Sequence, residues 1–244
     1  MKTEKIAQPT EKTKSWPVVE IFGPTIQGEG ALIGRPTLFV RFGGCDYRCS
    51  WCDSLYAVLP EKVKHNSIKM SAEEILGELQ KLNVAGTEWV TLSGGNPALF
   101  DLSNLVHVLH KHDYKVAVET QGSVWKDWLR ECDLVTVSPK PPSSGMVTDW
   151  EVLDKLYFQL KENAVVKVVV FDNGDLDYVR TVARRYTEWD LYLQVGNDVG
   201  EDNEDMLLRK LDWLVKTAIK DPVLKNAVVL PQLHVLLWGN ARGV

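Results

Sequence analysis

The stretch 71–97, SAEEILGELQKLNVAGTEWVTLSGGNP, holds a helix, a strand and a glycine turn in succession. Ser71 followed three residues on by Glu74 is a helix-start pair, in which each side chain satisfies the other's free backbone N–H. Ile75, Leu76, Leu79 and Leu82 then fall on one face at helical spacing. Residues 89–93 form a short strand-like run, and Ser93-Gly94-Gly95-Asn96-Pro97 ends it with two glycines. Glycine has no Cβ, so backbone there approaches a ligand or another strand closely.

The same alternation extends in both directions. Short β-branched runs occur at 37–42, 89–93, 115–120, 134–138, 165–171 and 191–195, with a further one at 227–230. Amphipathic patterns lie between most of them, at 102–110 (Leu102, Leu105, Val106 and Leu109 on one face), 150–160, 176–185 and 206–219. Strand–helix alternation of this kind predicts a parallel sheet with crossover helices. Six strands between 37 and 195 are too few for a closed eight-fold barrel. The fold class is therefore α/β, an open or partial parallel β/α barrel with about six core strands. No repeat, low-complexity tract or linker divides it. Residues 16–244 are expected to form one domain, preceded by a flexible polar arm over residues 1–15.

In such folds the active site gathers at the C-terminal ends of the strands. Five segments converge there: the loop after residues 37–42, Ser93–Pro97, Glu119-Thr120-Gln121-Gly122, Ser138-Pro139-Lys140, and Gln194. The first of these loops carries Cys45-Asp46-Tyr47-Arg48-Cys49-Ser50-Trp51-Cys52. Three thiolates can seat one small inorganic centre and leave a fourth position open. A cubane iron–sulfur cluster is normally held by four cysteines, and an open metal position marks catalysis rather than structure. A disulfide framework does not suit three crowded cysteines in a chain with cytosolic character. A zinc site of three Cys and one His stays open, although the nearest histidine, His65, lies well past Cys52. The fourth cysteine, Cys132, reads as a small buried hydrophobe.

Composition narrows the function classes. A hydrophobic content of 45% and a charged content of 25% are those of an ordinary globular domain. The net charge of −5 supplies no general attraction to nucleic acid or an anionic membrane. No apolar run is long enough for a membrane span, and the lysine-rich start is not a secretory signal. The expected location is the cytoplasm.

With Trp51 just before the last cysteine, CxxxCxxC resembles the cluster loop of the radical S-adenosylmethionine (SAM) enzymes. A more specific resemblance lies upstream, in Glu20-Ile21-Phe22-Gly23-Pro24-Thr25-Ile26-Gln27-Gly28-Glu29-Gly30 and Phe39-Val40-Arg41. It continues through the rim motifs to the tail Leu230-Pro231-Gln232-Leu233-His234-Val235-Leu236-Leu237-Trp238-Gly239-Asn240. Together these are similar to the 7-carboxy-7-deazaguanine synthase family. The resemblance implies a partial barrel, and ring contraction of 6-carboxy-5,6,7,8-tetrahydropterin with loss of ammonia in the pathway to queuosine. It implies a [4Fe-4S] cluster, SAM and Mg²⁺ as cofactors, a flavodoxin- or ferredoxin-type electron donor, and a homodimer.

Residue by residue, the resemblance gives the cluster to Cys45, Cys49 and Cys52, and Mg²⁺ to the hydroxyl of Ser54. It gives SAM to Trp51, Gly95, Glu119, Ser138, Pro139, Lys140 and Gln194. It gives the pterin to Ile26, Gln27, Gly28, Glu29, Arg41, Ser93 and His234. Ser93-Gly94-Gly95-Asn96-Pro97 resembles the radical-SAM motif Gly-Gly-Glu-Pro, and Asn96 stands where that motif usually has Glu, which removes a charge near the SAM amino group. The substrate carboxylate suits the fork of Arg41, and Glu29 is a candidate acceptor for the 2-amino-4-oxo edge.

Structural readings compete for several of these residues. Arg41 as a surface strand residue, Glu29 as a turn former, Ser54 as a helix cap and His234 as a satisfied core histidine are the plainer alternatives. Trp238 reads as packing, His107, His110 and His112 as surface residues, and 200–205 as a solvated acidic loop. Two other function classes remain: a glycyl-radical-enzyme activase, which shares CxxxCxxC but needs a protein partner, and a zinc-stabilised binding module.

Overall fold

The computed structural model describes residues 14–198 and 203–244. The arm expected over 1–15 lies outside the described residues apart from Lys14, which pairs with Asp101, and Ser15. The same holds for residues 200–202 of the expected acidic loop. In chain order the elements are β1 (Trp16–Ile26), β2 (Pro36–Phe42), α1 (Leu55–Val58), α2 (Pro60–Asn66), β3 (Ile68–Met70), α3 (Ala72–Leu82) and β4 (Trp89–Gly94). They continue as α4 (Ser103–His110), β5 (Lys115–Thr120), β6 (Leu134–Val137), α5 (Trp150–Gln159), β7 (Ala164–Val170) and α6 (Asn173–Arg185). The last are β8 (Leu191–Val195), α7 (Glu204–Ala218), β9 (Val228–Leu230) and α8 (Leu233–Trp238).

Among the described residues one sheet carries all nine strands, in the order β3-β1-β2-β4-β5-β6-β7-β8-β9. From β2 through β9 the neighbours run parallel. The sheet does not close: β3 and β9 are its edges. This is the expected open β/α barrel. Its additions are β1 and β3, which pair antiparallel at one end. β1 lacks clean alternation and shifts register twice against β2, so a period-two pattern does not reveal it.

Local chemistry sets the helix starts. In α3, Ser71 N–H donates to Glu74 at 2.7 Å and Glu74 N–H donates to Ser71 Oγ at 3.2 Å, the capping box read from sequence. The helix expected from residue 176 begins earlier, at Asn173, because Asp172 accepts the Asp175 N–H and caps it.

Strand alternation divides the molecule into two chemistries. Leu38, Val40, Phe42, Val90, Leu92, Val116, Val118, Val135, Val137, Val166, Val168, Leu193 and Val195 point to the helices and form the core with residues such as Ile75, Leu105, Leu153 and Val179. Truncating one of these leucines to alanine costs about 2–5 kcal/mol. The opposite parity carries Phe39 and Arg41, Ser93, Glu119, Ser138, Lys167 and Val169, and Gln194, all of which line a cavity at the rim. Arg41 and Ser93 are direct partners across β2 and β4. The sheet thus delivers its polar residues to one place as a consequence of the pleat.

Candidate active site

The rim cavity has a volume of about 230 Å³. Its floor depends on how β2 meets β4. A Cβ on Gly94 would lie 2.1 Å from the Phe42 carbonyl oxygen, and one on Gly95 would lie 2.0 Å from that of Gly44. The glycines expected to admit a ligand are needed first by this backbone contact. Gly95 N–H donates to Phe42 and Asn96 N–H to Gly44, which seats the cysteine loop directly on the strand ends.

Cys45, Cys49 and Cys52 are free, partly exposed and all line the cavity. Burial pushes all three thiols up, Cys49 to about 11. A metal centre would displace those protons. Two donors already reach Cys45 Sγ: Tyr47 N–H at 3.4 Å and Gln121 Nε2 at 3.5 Å. Among the described residues no three Cys, His, Asp or Glu side chains converge to hold a single metal ion. His65 is exposed on α2, outside the cavity lining. The cysteine set therefore lacks the histidine a zinc site would take. Three thiols facing a cavity fit a cluster, which spreads its ligands over several irons. Cys132 is buried away from them, packed into the core.

Ser138, Lys140, Trp51 and Gln194 surround the same space. Lys140 Nζ donates to Ser138 O at 3.0 Å and Ser138 Oγ at 3.2 Å, and lies 5.8 Å from the Trp51 ring centre. Trp51 Nε1 donates to Ser143 Oγ, and its ring packs on Phe171. Gln194 is fully buried, yet neither its Nε2 nor its Oε1 has a partner. A buried amide of that kind keeps both its donor and its acceptor capacity for a ligand or a water. Pro139 is buried between Ser138 and Lys140 and is not part of the lining.

Asn96, at the position where a Glu is usual, does not face the cavity. It is fully buried and spends its whole amide internally. Nδ2 donates to Asp46 at 3.0 Å and Ser123 at 3.1 Å, while Oδ1 accepts from Ala98 N–H at 3.2 Å and Thr120 Oγ1 at 2.8 Å. Its oxygen is not left over for a ligand.

Ile26, Gln27, Gly28, Glu29, Arg41, Ser93, Glu119 and His234 line the same cavity. Glu119 accepts from Ser93 Oγ at 2.9 Å and from Gln27 Nε2 at 3.3 Å. Leu233 N–H donates to Gly28 O at 3.0 Å, and a Cβ on Gly28 would overlap the His234 ring. His234 thus packs against a glycine that must stay bare. Ser54 sits at the N-cap position of α1, but its side chain makes no cap; Oγ donates to Asp53 at 2.9 Å, and both residues line the cavity.

Among the lining residues that escaped the sequence reading, two bear directly on Glu29. Lys167 forms an ion pair with Glu29 inside the cavity. Burial tends to raise the Glu29 carboxyl, but Lys167, helped by His234 and by hydrogen bonds from Lys167 and Gln232, outweighs it and holds the group below the usual carboxylate range. The sequence signal was present: one lysine inside the otherwise apolar Ala164–Val170. Gln232 donates from Nε2 to Glu29 at 2.7 Å and was seen only as part of the tail motif.

Comparison with known proteins identifies the relatives of this chain. Residues 39–139 match the model of the radical SAM superfamily. The chain is 47% identical over 242 residues to the 7-carboxy-7-deazaguanine synthase of Bacillus subtilis strain 168, covering 95% of this chain and 99% of that protein. It is 45% identical to the 7-carboxy-7-deazaguanine synthase of Bacillus cereus, with 93% and 98% covered. In fold it is similar to the crystal structure of QueE from Escherichia coli, with a TM-score of 0.68 over 90% of this chain and 95% of that one, at 23% identity.

Proposed function

The chain belongs to the 7-carboxy-7-deazaguanine synthases, a family of radical SAM enzymes, and from that premise we propose that its rim cavity contracts the ring of 6-carboxy-5,6,7,8-tetrahydropterin to 7-carboxy-7-deazaguanine, releasing ammonia. The single observation that carries this reading is the shared cavity. Three free cysteines, the Ser138–Lys140 and Gln194 wall, and the 26–29 and 232–234 wall open on one space.

Cys45, Cys49 and Cys52 would hold a [4Fe-4S] cluster, and Trp51, Gly95, Ser138, Lys140 and Gln194 would hold SAM. When bound, the cluster and SAM supply the one-electron chemistry, and the protein supplies position and the exclusion of water. Arg41 turns its guanidinium toward the pterin carboxylate, and Glu119 fixes Ser93 and Gln27 beside the ring. Ser54, its hydroxyl not used as a cap, offers a hard oxygen for Mg²⁺ beside Asp53. The homodimer and the flavodoxin- or ferredoxin-type donor rest on family membership alone. Residues 16–244 act as one unit in this reading, supported by the single sheet that runs from Trp16 to Leu230. Among the described residues no helix is long and apolar enough to cross a membrane. The glycyl-radical activase and zinc-module readings find no support in relatives that share this chain's full length.

The test is anaerobic turnover of the reconstituted protein with reductant, SAM and carboxytetrahydropterin, read by mass detection. Appearance of the deazapurine is expected. SAM cleavage without a deazapurine product would place the protein elsewhere in the superfamily.

A further inference from the structure

Gln232 occupies the N-cap position of α8, yet its side chain does not cap the helix. It turns into the cavity and donates from Nε2 to Glu29 Oε1 at 2.7 Å. A carboxylate only accepts, so this contact fixes which end of the amide is nitrogen. The other end, Oε1, is then an acceptor buried without a partner, on a residue that is 8% exposed. Glu29 cannot swing away from it. Its second oxygen is held by Lys167, and Leu233 N–H ties the 232–234 segment to Gly28. The result is two acceptors, one carboxylate and one amide oxygen, a single amide group apart on the cavity wall.

We propose that Gln232 Oε1 and the Glu29 carboxylate together read the donor edge of the pterin, its ring N3–H and 2-amino group, with Lys167 holding Glu29 in place. This rests on the substrate reading above. A buried acceptor is costly until a donor reaches it, and two adjacent N–H groups satisfy both acceptors at once. A ligand with a 2-oxo group at that corner sets oxygen against oxygen. Sites built around such hydrogen bonds reject the analogue that cannot make them far more strongly than apolar pockets reject a missing methylene. The pair therefore makes the site selective for 2-amino over 2-oxo heterocycles. The ion pair serves this end better than it serves stability, since buried salt bridges rarely outweigh their own desolvation.

The experiment is equilibrium binding to the cluster-loaded protein with SAM and no reductant, so that nothing turns over. The two ligands are 6-carboxytetrahydropterin and its 2-oxo counterpart. The wild-type protein should prefer the 2-amino compound by about tenfold or more. In Gln232→Met the 2-amino compound should weaken about three- to tenfold while the 2-oxo compound and SAM hold their affinities, so the preference contracts. Equal binding of both ligands by the wild type overturns the proposal without any variant, which covers a Gln232→Met protein that does not fold. An unchanged preference in a folded Gln232→Met also overturns it. No binding of the 2-amino compound by the wild type overturns the substrate reading, and this one with it.

Discussion

Arg41 donates from Nε to Glu20 Oε1 at 2.6 Å, across the antiparallel pair that joins β1 to β2. Tyr56 Oη donates to the same oxygen at 2.9 Å, and Arg242 Nη2 reaches the other at 3.2 Å. The Arg41 guanidinium also lies over the rings of Phe22 and Tyr56. One edge of the fork is thereby used, and among the described residues the two terminal nitrogens make no hydrogen bond. Arg41 is neither a plain surface residue nor wholly free. Arg41→Ala should weaken carboxytetrahydropterin binding about ten- to a hundredfold, and Arg41→Lys should fall between, since an ammonium keeps charge without the fork. Glu20→Gln should give a smaller loss, by loosening the guanidinium. Wild-type affinity in Arg41→Ala, measured with the cluster intact, would show that the carboxylate binds elsewhere.

How much of this was legible follows from the physics of each signal. The parallel strands announce themselves as short β-branched runs, and the cysteine loop by spacing alone. The convergence of Ser93, Glu119, Ser138 and Gln194 was readable because strand ends in this fold point to one rim, while Arg41 came only with the family resemblance. Lys167 was overlooked because a lysine in an apolar run has no partner visible in sequence; Glu29, its counter-ion, is far away along the chain. β1 was missed because its apolar residues alternate irregularly, and the roles of Gly94 and Gly95 because a backbone contact between strands leaves no pattern.

The Ser54 hydroxyl hydrogen-bonds to Asp53 and caps nothing. Ser54→Ala should therefore leave the folded cluster-free protein within about 0.5 kcal/mol of wild type while raising the Mg²⁺ concentration needed for half-maximal turnover. Ser54→Thr should behave as wild type. A Mg²⁺ titration that does not move in Ser54→Ala removes this residue from the metal site.

Cysteine alkylation separates the two thiol environments. In cluster-free protein, Cys45, Cys49 and Cys52 are partly exposed, whereas Cys132 is 3% exposed and burial pushes its thiol up further still. Burial raises the first three thiols too, so excess iodoacetamide at alkaline pH should label them slowly and spare Cys132 until the protein is denatured. Loading the cluster should protect the three. Peptide mass mapping reads the outcome, and equal labelling of Cys132 in the native protein would contradict its placement in the core.

Asn96 makes the sharpest prediction because the Glu of the Gly-Gly-Glu-Pro motif should be worse here. The amide donates to Asp46 and Ser123 and accepts from Ala98 and Thr120, so it braces the cysteine loop against the end of β5. Asp46 also accepts from Gln121 Nε2 at 2.6 Å, the same nitrogen that approaches Cys45. A carboxylate at 96 keeps the acceptors but loses both donors, and it buries an anion beside the exposed carboxylate of Asp46. Each orphaned buried group costs about 1–3 kcal/mol, and an unpaired buried charge more. Asn96→Asp, which keeps the shape, should lose about 2–4 kcal/mol in urea denaturation of the cluster-free protein. Asn96→Glu, which must also find room for a further carbon, should lose at least as much, and both should bind less iron on reconstitution. If Asn96→Glu instead holds its stability and tightens SAM binding, residue 96 faces the cofactor after all, and the brace described here is wrong.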